Sequence, residues 1–420
     1  MRKAAGAAFV TAAAFGCGSG DASRPEPQEP ATTPDPGIPP EGYTRLAFNE
    51  SPFGPPPAAL PAVEELLNRP YAMDSPATPF LPGINRYPDF LNTLLTKALA
   101  RRHSLSTRYV VPCCGISELL YMSSQTFLGP GRHLILSEGS FPLPAYYAEQ
   151  RGREVRKIPL TNGQMADLEA MLDAIGDRTG LVYLANPDNP TGSLVSLADL
   201  EQFVAEAYRK NPETVVLIDE AYMEYVLQDP PAEAIRLVFQ YPVLVGRTFS
   251  KAWGMAGLRA GYVVGNEDLI LILNGFLSGY LGGDPGWRMF EGNVNRIAAA
   301  AVEASLTEEG FSFVESVREQ NALLRTYLAD SLVGLGFGPL PSEGNFLLVP
   351  VGSDGENLRR WLSSRKILVQ AGGPFHPNYR DWIRVSVGTQ PELDTFLDAL
   401  SGYDPSLSHP SCFRVFYHGI

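Results

Sequence analysis

The sequence contains few cysteines and histidines for its length, with four and five of them in 420 residues. Cys113 and Cys114 are adjacent, so their Cα atoms lie too close for an unstrained disulfide between them. Cys17 and Cys412 stand near the two ends of the chain, and the histidines do not recur at the spacing of metal ligands. The sequence therefore predicts neither a disulfide framework nor a metal site.

Positive charge is also scarce. Lys and Arg number 33 against 46 Asp and Glu, which gives a formal net charge of −13 and a pI near 5.0. This balance disfavours nucleic acid and anionic lipid as partners. We expect a soluble body that builds any anion site from local residues.

The N-terminal region has the composition of an export signal. Basic residues precede the apolar run 4–15, which is too short to span a bilayer but has the proportions of a secretory signal. Ala14-Phe15-Gly16-Cys17 resembles a bacterial lipobox, in which Cys17 would carry a lipid anchor. Residues 18–42 are rich in proline and predict a disordered linker. We expect a protein of the bacterial cell envelope, with a cytoplasmic protein as the alternative.

The remaining sequence alternates strand-like and helical segments, which is typical of a mainly parallel α/β sheet. The strand-like runs are 109–111, 133–136, 181–185, 215–218, 243–245 and 262–264. Its length of about 380 residues suits two domains. The expected segments are a leader (1–17), the linker (18–42), the N-terminal part of a small domain (43–86), a large domain (87–304), the C-terminal part of the small domain (305–402) and a tail (403–420).

One lysine stands in a setting that suits covalent chemistry. Lys251 lies among hydroxyl and small residues, with Ser250 before it and Arg259 eight positions after it. A lysine amine acts as a nucleophile when its pKa is lowered or when it is held as an imine. Ser250 and Arg259 would then hold a phosphate. The segment predicts a lysine bonded to a phosphorylated aldehyde cofactor, with a surface lysine as the alternative.

Polar residues follow two strand-like runs upstream. Asp219 closes the run 215–218, so it is expected at the carboxyl edge of a parallel sheet, where α/β proteins bind ligands. There it would pair with a protonated ring nitrogen. Tyr222 would reach a ring hydroxyl, and Asn189, held in a rigid Asn-Pro turn, would be the second ligand. A helix cap for Asp219 and an ordinary turn for Asn189 are the alternatives.

A glycine turn and an aromatic residue complete the predicted site. Gly115 lies between a strand-like and a helical segment, where the main-chain N–H groups of Ile116 and Ser117 would bind a phosphate. Phe141 would stack on a planar ring. The alternatives are an ordinary helix cap for Ser117 and a core position for Phe141.

From about Leu46 to about Leu400 the chain resembles fold-type I pyridoxal-phosphate enzymes, and among these class I/II aminotransferases it is most similar to histidinol-phosphate aminotransferases. The motifs appear in the order of that family, beginning with Phe48-Asn49-Glu50-Ser51-Pro52-Phe53-Gly54-Pro55. The matching segments are 48–55, 86–89, 114–120, 189–192, 219–222, 248–259, 341–348 and 382–389.

This resemblance implies a role for each matching residue. The cofactor would be pyridoxal 5'-phosphate, with Lys251 as the lysine bonded to it and Asp219 at its ring nitrogen. The other cofactor ligands would be Asn189 and Tyr222 at the ring oxygen, Phe141 on the ring, Gly115, Ile116, Ser117, Ser250 and Arg259 at the phosphate, and Tyr87 at the phosphate of a neighbouring subunit. Arg384 and Asn345 would bind substrate, and the role of Tyr87 requires a homodimer.

The resemblance also implies a fold and a reaction. The fold would be α/β, with a large domain built on a mainly parallel sheet flanked by helices and a smaller α+β domain. The enzyme would move an amino group between an amino acid or amino-phosphate compound and a 2-oxo acid, with Lys251 as general base and acid. The alternatives are a decarboxylase or lyase similar to threonine-phosphate decarboxylases, and a retired envelope protein that binds without catalysis.

Two departures from the family pattern concern the substrate. Gln370 stands where histidinol-phosphate aminotransferases usually have an arginine for the substrate phosphate, so the expected charge is absent. The segment 276–292 is longer and richer in glycine and aromatic residues than its counterpart. It is interpreted as a lid or as a long surface loop. Arg288 within it is the candidate for the missing charge.

Overall fold

The strands of the protein form three sheets. The computed structural model describes residues 42–68, 84, 89–227, 233–279, 294–352 and 354–403, without the side chains of 89–93 and 274–279. The strands are β1 (Thr44–Arg45), β2 (Val110–Cys113), β3 (His133–Ser137), β4 (Val155–Ile158), β5 (Thr179–Ala185), β6 (Val215–Asp219), β7 (Val243–Thr248), β8 (Gly261–Gly265), β9 (Phe346–Pro350), β10 (Ile367–Leu368), β11 (Gln370–Ala371) and β12 (Trp382–Ser386).

The largest sheet has seven strands in the order β2-β8-β7-β6-β5-β3-β4. Its neighbours are parallel from β7 to β4, and β8 runs antiparallel to both β2 and β7. Strands in the middle of the sheet are buried along their whole length, as in β6 and β7, because helices cover both faces. This architecture confirms the predicted α/β class with a mainly parallel sheet.

Helices form a large part of the remaining described residues. They are α1 (Ala59–Asn68), α2 (Asp89–Arg102), α3 (Ile116–Phe127), α4 (Leu143–Glu149), α5 (Leu168–Ala174), α6 (Leu197–Lys210), α7 (Glu267–Gly279), α8 (Arg296–Ser305), α9 (Glu308–Gly334), α10 (Gly355–Ser363) and α11 (Gln390–Ser401). Helix α3 approaches β7 closely because Gly246 leaves room for it. A Cβ atom at Gly246 would lie 2.7 Å from Cδ1 of Ile116.

The C-terminal part of the chain builds a smaller antiparallel sheet in the order β11-β12-β9. A separate apolar core, which includes Leu46, Leu358 and Phe396, lies beside it. The N-terminal segment joins this region: Leu46 N donates to the carbonyl of Leu368 at 2.9 Å, and Ser386 N donates to the carbonyl of Leu46 at 2.8 Å. These bonds place the residues after Leu46 beside β12, the strand that contains Arg384.

All six strand-like runs of the sequence correspond to observed strands, namely β2, β3 and β5 to β8. The sequence did not predict β4, because Arg156 and Lys157 occupy its centre. This strand lies at the edge of the sheet and is only partly buried, so it lacks the apolar run of the central strands. The domain limits at residues 43, 87, 305 and 403 stay predictions.

Several predictions concern residues outside the described part: the leader and most of the linker (1–41), Tyr87, residues 280–293 with Arg288, and Cys412. Helix α7 contains the start of the long segment that begins at residue 276. Within the described ranges, no helix has the length and apolar character needed to cross a membrane. The same ranges contain no group of three or more potential metal ligands.

Candidate active site

A cavity of about 270 Å³ opens where β5, β6 and β7 end. The carboxyl ends of parallel strands meet at this edge, which is the usual place for ligands in such sheets. Most of the predicted site residues line it: Ile116, Ser117, Phe141, Asn189, Asp219, Tyr222, Ser250, Lys251, Arg259 and Arg384. The fold therefore brings together motifs that are widely separated in the sequence.

Lys251 lies three residues after the end of β7, and its side chain lines the cavity. Its Nζ donates to the carbonyl oxygen of Phe48 at 2.9 Å and lies 5.6 Å from the ring centroid of Tyr222. Burial lowers the pKa of Lys251 to about 7, and the positive charge of Arg384 acts in the same direction. A large fraction of this amine is therefore neutral near pH 7, which is the form that attacks a carbonyl.

Asp219 is the last residue of β6 and is buried. Tyr183 donates its hydroxyl to Oδ2 at 2.9 Å, and the main-chain N–H of Ala221 donates to Oδ1 at 3.0 Å. Burial raises the pKa of Asp219 to about 6, while these two hydrogen bonds favour its ionised form. A carboxylate held in this way suits a protonated ring nitrogen, whose positive charge would stabilise it further.

Tyr222 presents a hydroxyl whose oxygen already accepts two hydrogen bonds. Asn49 donates through Nδ2 at 3.0 Å, and Asn189 donates through Nδ2 at 3.4 Å. Burial raises the pKa of Tyr222 to about 12, so the hydroxyl keeps its proton. Because the oxygen accepts from both amides, its own O–H is left to donate to a third group, such as a ring oxygen.

Arg384 lies on β12 with its guanidinium against the same cluster. Nη1 donates to Oδ1 of Asn189 at 2.5 Å, and Nη2 donates to the carbonyl of Ala47 at 2.6 Å. Nε is buried without a hydrogen-bond partner. Burial lowers the pKa of Arg384 to about 10, so the side chain stays charged at pH 7.

The beginning of α3 and Arg259 form an anion cradle. No side chain caps the first turn of α3, which follows Gly115 at φ 70°, so its main-chain N–H groups can bind an anion. Arg259 Nη1 donates to Ser250 Oγ at 3.2 Å. A Cβ atom at Gly115 would lie 2.7 Å from Arg259 Nη2, so only glycine permits this approach. The donor set fits the phosphate group of pyridoxal phosphate.

The other predicted residues take different positions. Phe141 lines the cavity, and the neighbouring Ser140 donates to Asp188 Oδ1 at 2.5 Å, which joins the Phe141 loop to the Asn189 loop. Gly115 does not line the cavity and lies against the guanidinium of Arg259. Asn345 is buried and does not line the cavity, and its Nδ2 donates to the carbonyl of Glu50 at 3.2 Å. A direct contact of Asn345 with substrate stays a prediction.

The structure adds site residues that the sequence analysis did not assign. Three successive residues, Ala47, Phe48 and Asn49, contact the side chains of Arg384, Lys251 and Tyr222 respectively. We call residues 47–49 the N-terminal strap. The signal for it was the family motif that begins at Phe48. The other residues that line the cavity are Tyr183, Ala185, Pro187, Ala221 and Thr248.

Comparison with known proteins agrees with this geometry. The family model of aminotransferase class I and II matches residues 41–400. The histidinol-phosphate aminotransferase of Moorella thermoacetica is 32% identical over 358 residues, which cover 85% of this chain and 84% of the relative. Histidinol-phosphate aminotransferase 2 of Hydrogenovibrio crunogenus is 32% identical over 360 residues, or 85% and 87% of the two chains.

Solved structures give the same relationship. The histidinol-phosphate aminotransferase from Sinorhizobium meliloti in complex with pyridoxal-5'-phosphate superposes with a TM-score of 0.70 at 29% identity, covering 85% of this chain and 89% of that one. An aspartate aminotransferase from Thermus thermophilus with maleate has a TM-score of 0.69 at 22% identity, over 86% and 91% of the chains. The second likeness concerns the fold alone.

Proposed function

The chain belongs to the family of class I and II aminotransferases, and from this premise we propose that its amino donor binds through a carboxylate held by Arg384. The protein is a pyridoxal-phosphate-dependent transaminase similar to histidinol-phosphate aminotransferases. The donor class follows from the charges of the site.

The charge state of Arg384 supports this proposal. Its guanidinium is buried, and no carboxylate of the described residues lies within ion-pair distance of it. A buried charge without an opposite charge is energetically costly, so binding of an anion beside Arg384 is favourable. A guanidinium fork matches the two oxygens of a carboxylate. Arg384 is therefore the expected partner of the donor carboxylate.

Gln370 favours a donor without a phosphate. It is the register partner of Arg384 across β11 and β12, so the two side chains stand next to each other on one face of the sheet. The cations of the described cavity wall are Lys251, Arg259 and Arg384. The first two serve the cofactor, so one cation remains for the donor. One guanidinium balances a carboxylate but only half of a phosphate dianion.

The cofactor residues have separate tasks in this reaction. Bound pyridoxal phosphate supplies an acceptor for the electrons left at the substrate α-carbon. Its ligands would be Ser250, Arg259 and the first turn of α3 for the phosphate, Asp219 for the ring nitrogen, Tyr222 and Asn189 for the ring oxygen, and Phe141 for the ring face. Arg384 orients the donor, and Lys251 holds and returns a proton at Nζ, which its pKa near 7 suits.

A donor panel tests the proposed function. We expect the visible band of the purified holoenzyme to convert with an unphosphorylated amino acid and to return with a 2-oxo acid. In Arg384→Lys the KM for that donor should rise about tenfold or more, because a lysine cannot fork onto the carboxylate. Preference for a phosphorylated amine would contradict the donor class. Release of CO2 without return of the band would identify a decarboxylase instead.

We also propose a homodimer in which Tyr87 of each subunit completes the phosphate site of the other. Support comes from the family resemblance of the motif around Tyr87. Light scattering should give a mass near twice that of the 45.7 kDa chain. Mixing inactive Lys251→Ala and Tyr87→Phe subunits tests the shared site, because one of the two sites in a mixed dimer would then hold both native residues. No recovery of activity above that of the separate variants would contradict the arrangement.

For the location of the protein we propose the bacterial cell envelope, with a lipid on Cys17. Support comes from the signal-like run 4–15 and the lipobox-like sequence before Cys17. Expression in a bacterium followed by membrane fractionation and mass spectrometry tests this. The wild-type chain should begin at a lipidated Cys17, and Cys17→Ser should leave the membrane fraction. A full-length, unmodified chain in the cytoplasm would refute it.

A further inference from the structure

Three carboxylates surround the guanidinium of Arg247 in the protein interior, on the face of the main sheet opposite α3. Its Nε lies 3.0 Å from Glu220 Oε2, its Nη1 lies 3.1 Å from Glu224 Oε1, and its Nη2 lies 2.5 Å from Glu233 Oε1. The side chains of Arg247, Glu220 and Glu224 are only 1%, 0% and 6% exposed. We call these four residues the Arg247 cluster. Burying these charges costs their hydration energy, so the presence of the cluster in the interior needs an explanation.

The position of Arg247 follows from the alternation of β7. Gly246 faces α3, so the next side chain points to the opposite face of the sheet. There Arg247 pairs in register with Tyr262 on β8. A second cation supports the cluster, since Arg102 Nη2 lies 4.0 Å from Glu224 Oε1. His103 Nδ1 lies 3.8 Å from Glu233 Oε2, and burial keeps its pKa near 3, so it is neutral.

The Arg247 cluster holds both sides of the turn that carries two cofactor ligands. Glu220 directly follows Asp219, and Glu220 and Glu224 stand two residues before and two residues after Tyr222. Arg247 therefore contacts the turn on each side of Tyr222. Glu220 is fixed further at its main chain, where its N–H donates to the carbonyl of Gly246 at 2.9 Å.

Arg247 also lies on the segment that carries the reactive lysine. Thr248 follows it and lines the cavity, and Lys251 comes four residues after it. One guanidinium thus connects the turn of Asp219 and Tyr222 to the strand that leads into Lys251. Nη1 donates a hydrogen bond to Glu224, and Nε and Nη2 approach Glu220 and Glu233 as ion pairs. Such a cluster sets the relative positions of groups that it does not itself place in contact with substrate.

We propose that Arg247 is a positioning residue for the transamination, which aligns Asp219 and Tyr222 with Lys251 through Glu220 and Glu224. Glu233 is the third carboxylate around the guanidinium. The segment after residue 232 is also attached to the Arg247 cluster, because the main-chain N–H of Ala234 donates to Glu220 Oε1 at 2.7 Å. The proposal rests on the cofactor chemistry of the family and is independent of which donor is used.

The substitution Arg247→Lys tests this role, because a lysine keeps the charge but cannot reach three carboxylates in a fork. We expect kcat to fall about 10- to 100-fold, as misplaced reacting groups cause, with KM within about twofold of wild type. Titration of apoprotein should show cofactor affinity weakened about fivefold to tenfold, the effect of losing one hydrogen bond. The pH midpoint of the visible band, recorded without donor, should also move.

Arg151→Lys is the matched control. Arg151 is a half-buried arginine that donates to the main-chain carbonyls of Ser124 and Gln125 at the far end of α3, away from the turn. It should leave kcat, cofactor affinity and the pH midpoint unchanged. A folded Arg247→Lys protein that matches this control in all three quantities would overturn the proposal.

A second variant decides the matter if Arg247→Lys does not fold. Glu224→Gln removes one carboxylate from the Arg247 cluster while keeping the size of the side chain. We expect the same three changes at smaller magnitude, with kcat lowered at least about threefold. Wild-type values for kcat, cofactor affinity and the pH midpoint in Glu224→Gln would show that the cluster stabilises the fold without positioning the site.

Discussion

The side-chain amide of Asn49 donates to the hydroxyl of Tyr222 at 3.0 Å, which joins the N-terminal strap to a turn 173 residues further along the chain. Asn49 is itself fixed by Ser386, whose Oγ accepts from Asn49 N at 2.8 Å and donates to Asn49 Oδ1 at 3.0 Å. The hydroxyl of Tyr222 is thus placed by the strap and the C-terminal strand β12 together.

Replacing Asn49 by Ala should lower kcat about fivefold to tenfold, because one hydrogen bond of roughly 1 kcal/mol no longer orients the Tyr222 hydroxyl. A double-mutant cycle with Tyr222→Phe measures this, since the effect of Asn49→Ala should largely vanish when the hydroxyl is absent. Asn211→Ala removes a buried amide that bonds Gly176 and is the control. An undiminished effect of Asn49→Ala in the Tyr222→Phe protein would refute the assignment.

Covalent attachment of the cofactor should depend on pH through Lys251. Only the neutral amine attacks the aldehyde, and burial together with Arg384 lowers the pKa of Lys251 to about 7. We therefore expect the rate at which apoprotein gains its visible band to rise with pH and to level off above about 7. An ordinary lysine would give a rate that still rises near pH 10. A stopped-flow series between pH 5.5 and pH 10 separates these outcomes.

Arg384→Gln should shift that profile in a known direction. Removing a positive charge near Lys251 stabilises the protonated amine, so the pKa of Lys251 rises and the inflection moves to higher pH. Arg325→Gln, which removes a half-buried arginine that donates to the carbonyl of Gly344, should leave the inflection where it is. Equal profiles for Arg384→Gln and wild type would show that Arg384 does not lower this pKa.

Replacing Lys251 by Ala should abolish covalent attachment and leave the fold intact. The side chain lines a cavity, so its loss leaves the apolar core unchanged. Borohydride treatment should no longer fix the cofactor to the chain, and turnover should fall by about 10²-fold to 10⁴-fold, the contribution of a positioned acid and base. Lys157→Ala, at an exposed ion pair with Glu149, is the control. Turnover in Lys251→Ala equal to that of Lys157→Ala would contradict the mechanism.

Gly115→Ala should weaken cofactor binding. The residue adopts φ 70°, and the added Cβ would lie 2.7 Å from Arg259 Nη2, so Ala carries backbone strain of about 1–2 kcal/mol and displaces the guanidinium. We expect cofactor affinity, measured by titration of apoprotein, to fall at least about tenfold. Gly257→Ala is the control, because a Cβ there meets nothing within 4 Å. Equal affinity in the two variants would argue against the cradle.

Gln370→Arg tests the role of this position in donor choice. The new guanidinium would stand beside Arg384 and provide the second cation that a phosphate dianion requires. We expect kcat/KM for phosphorylated amines to rise about tenfold. Gln390→Arg, on the exposed start of α11, should change nothing. If Gln370→Arg also changes nothing, position 370 does not select the donor.

The sequence alone predicted six strands of the central sheet and the edge of the sheet where Asp219 and Asn189 lie. The strands were visible because they are buried on both faces and read as continuous apolar runs, as in β6. Asp219 ends such a run and Asn189 stands four positions after the end of another, and the carboxyl ends of parallel strands meet at one edge. The joint position of these two residues was therefore predictable before the tertiary structure was known, and the cavity contains both.

Only the tertiary structure decided which other groups complete the site. Tyr183 stands within an apolar strand, and no local pattern indicates that its hydroxyl donates to Asp219 on the neighbouring strand. The contacts of Asn49 and Arg247 likewise join segments that are distant in sequence. Local sequence determines which residues end a strand or begin a helix, because those preferences act over a few positions. Packing determines hydrogen-bond partners and pKa values, because burial and charge depend on neighbours from every part of the chain.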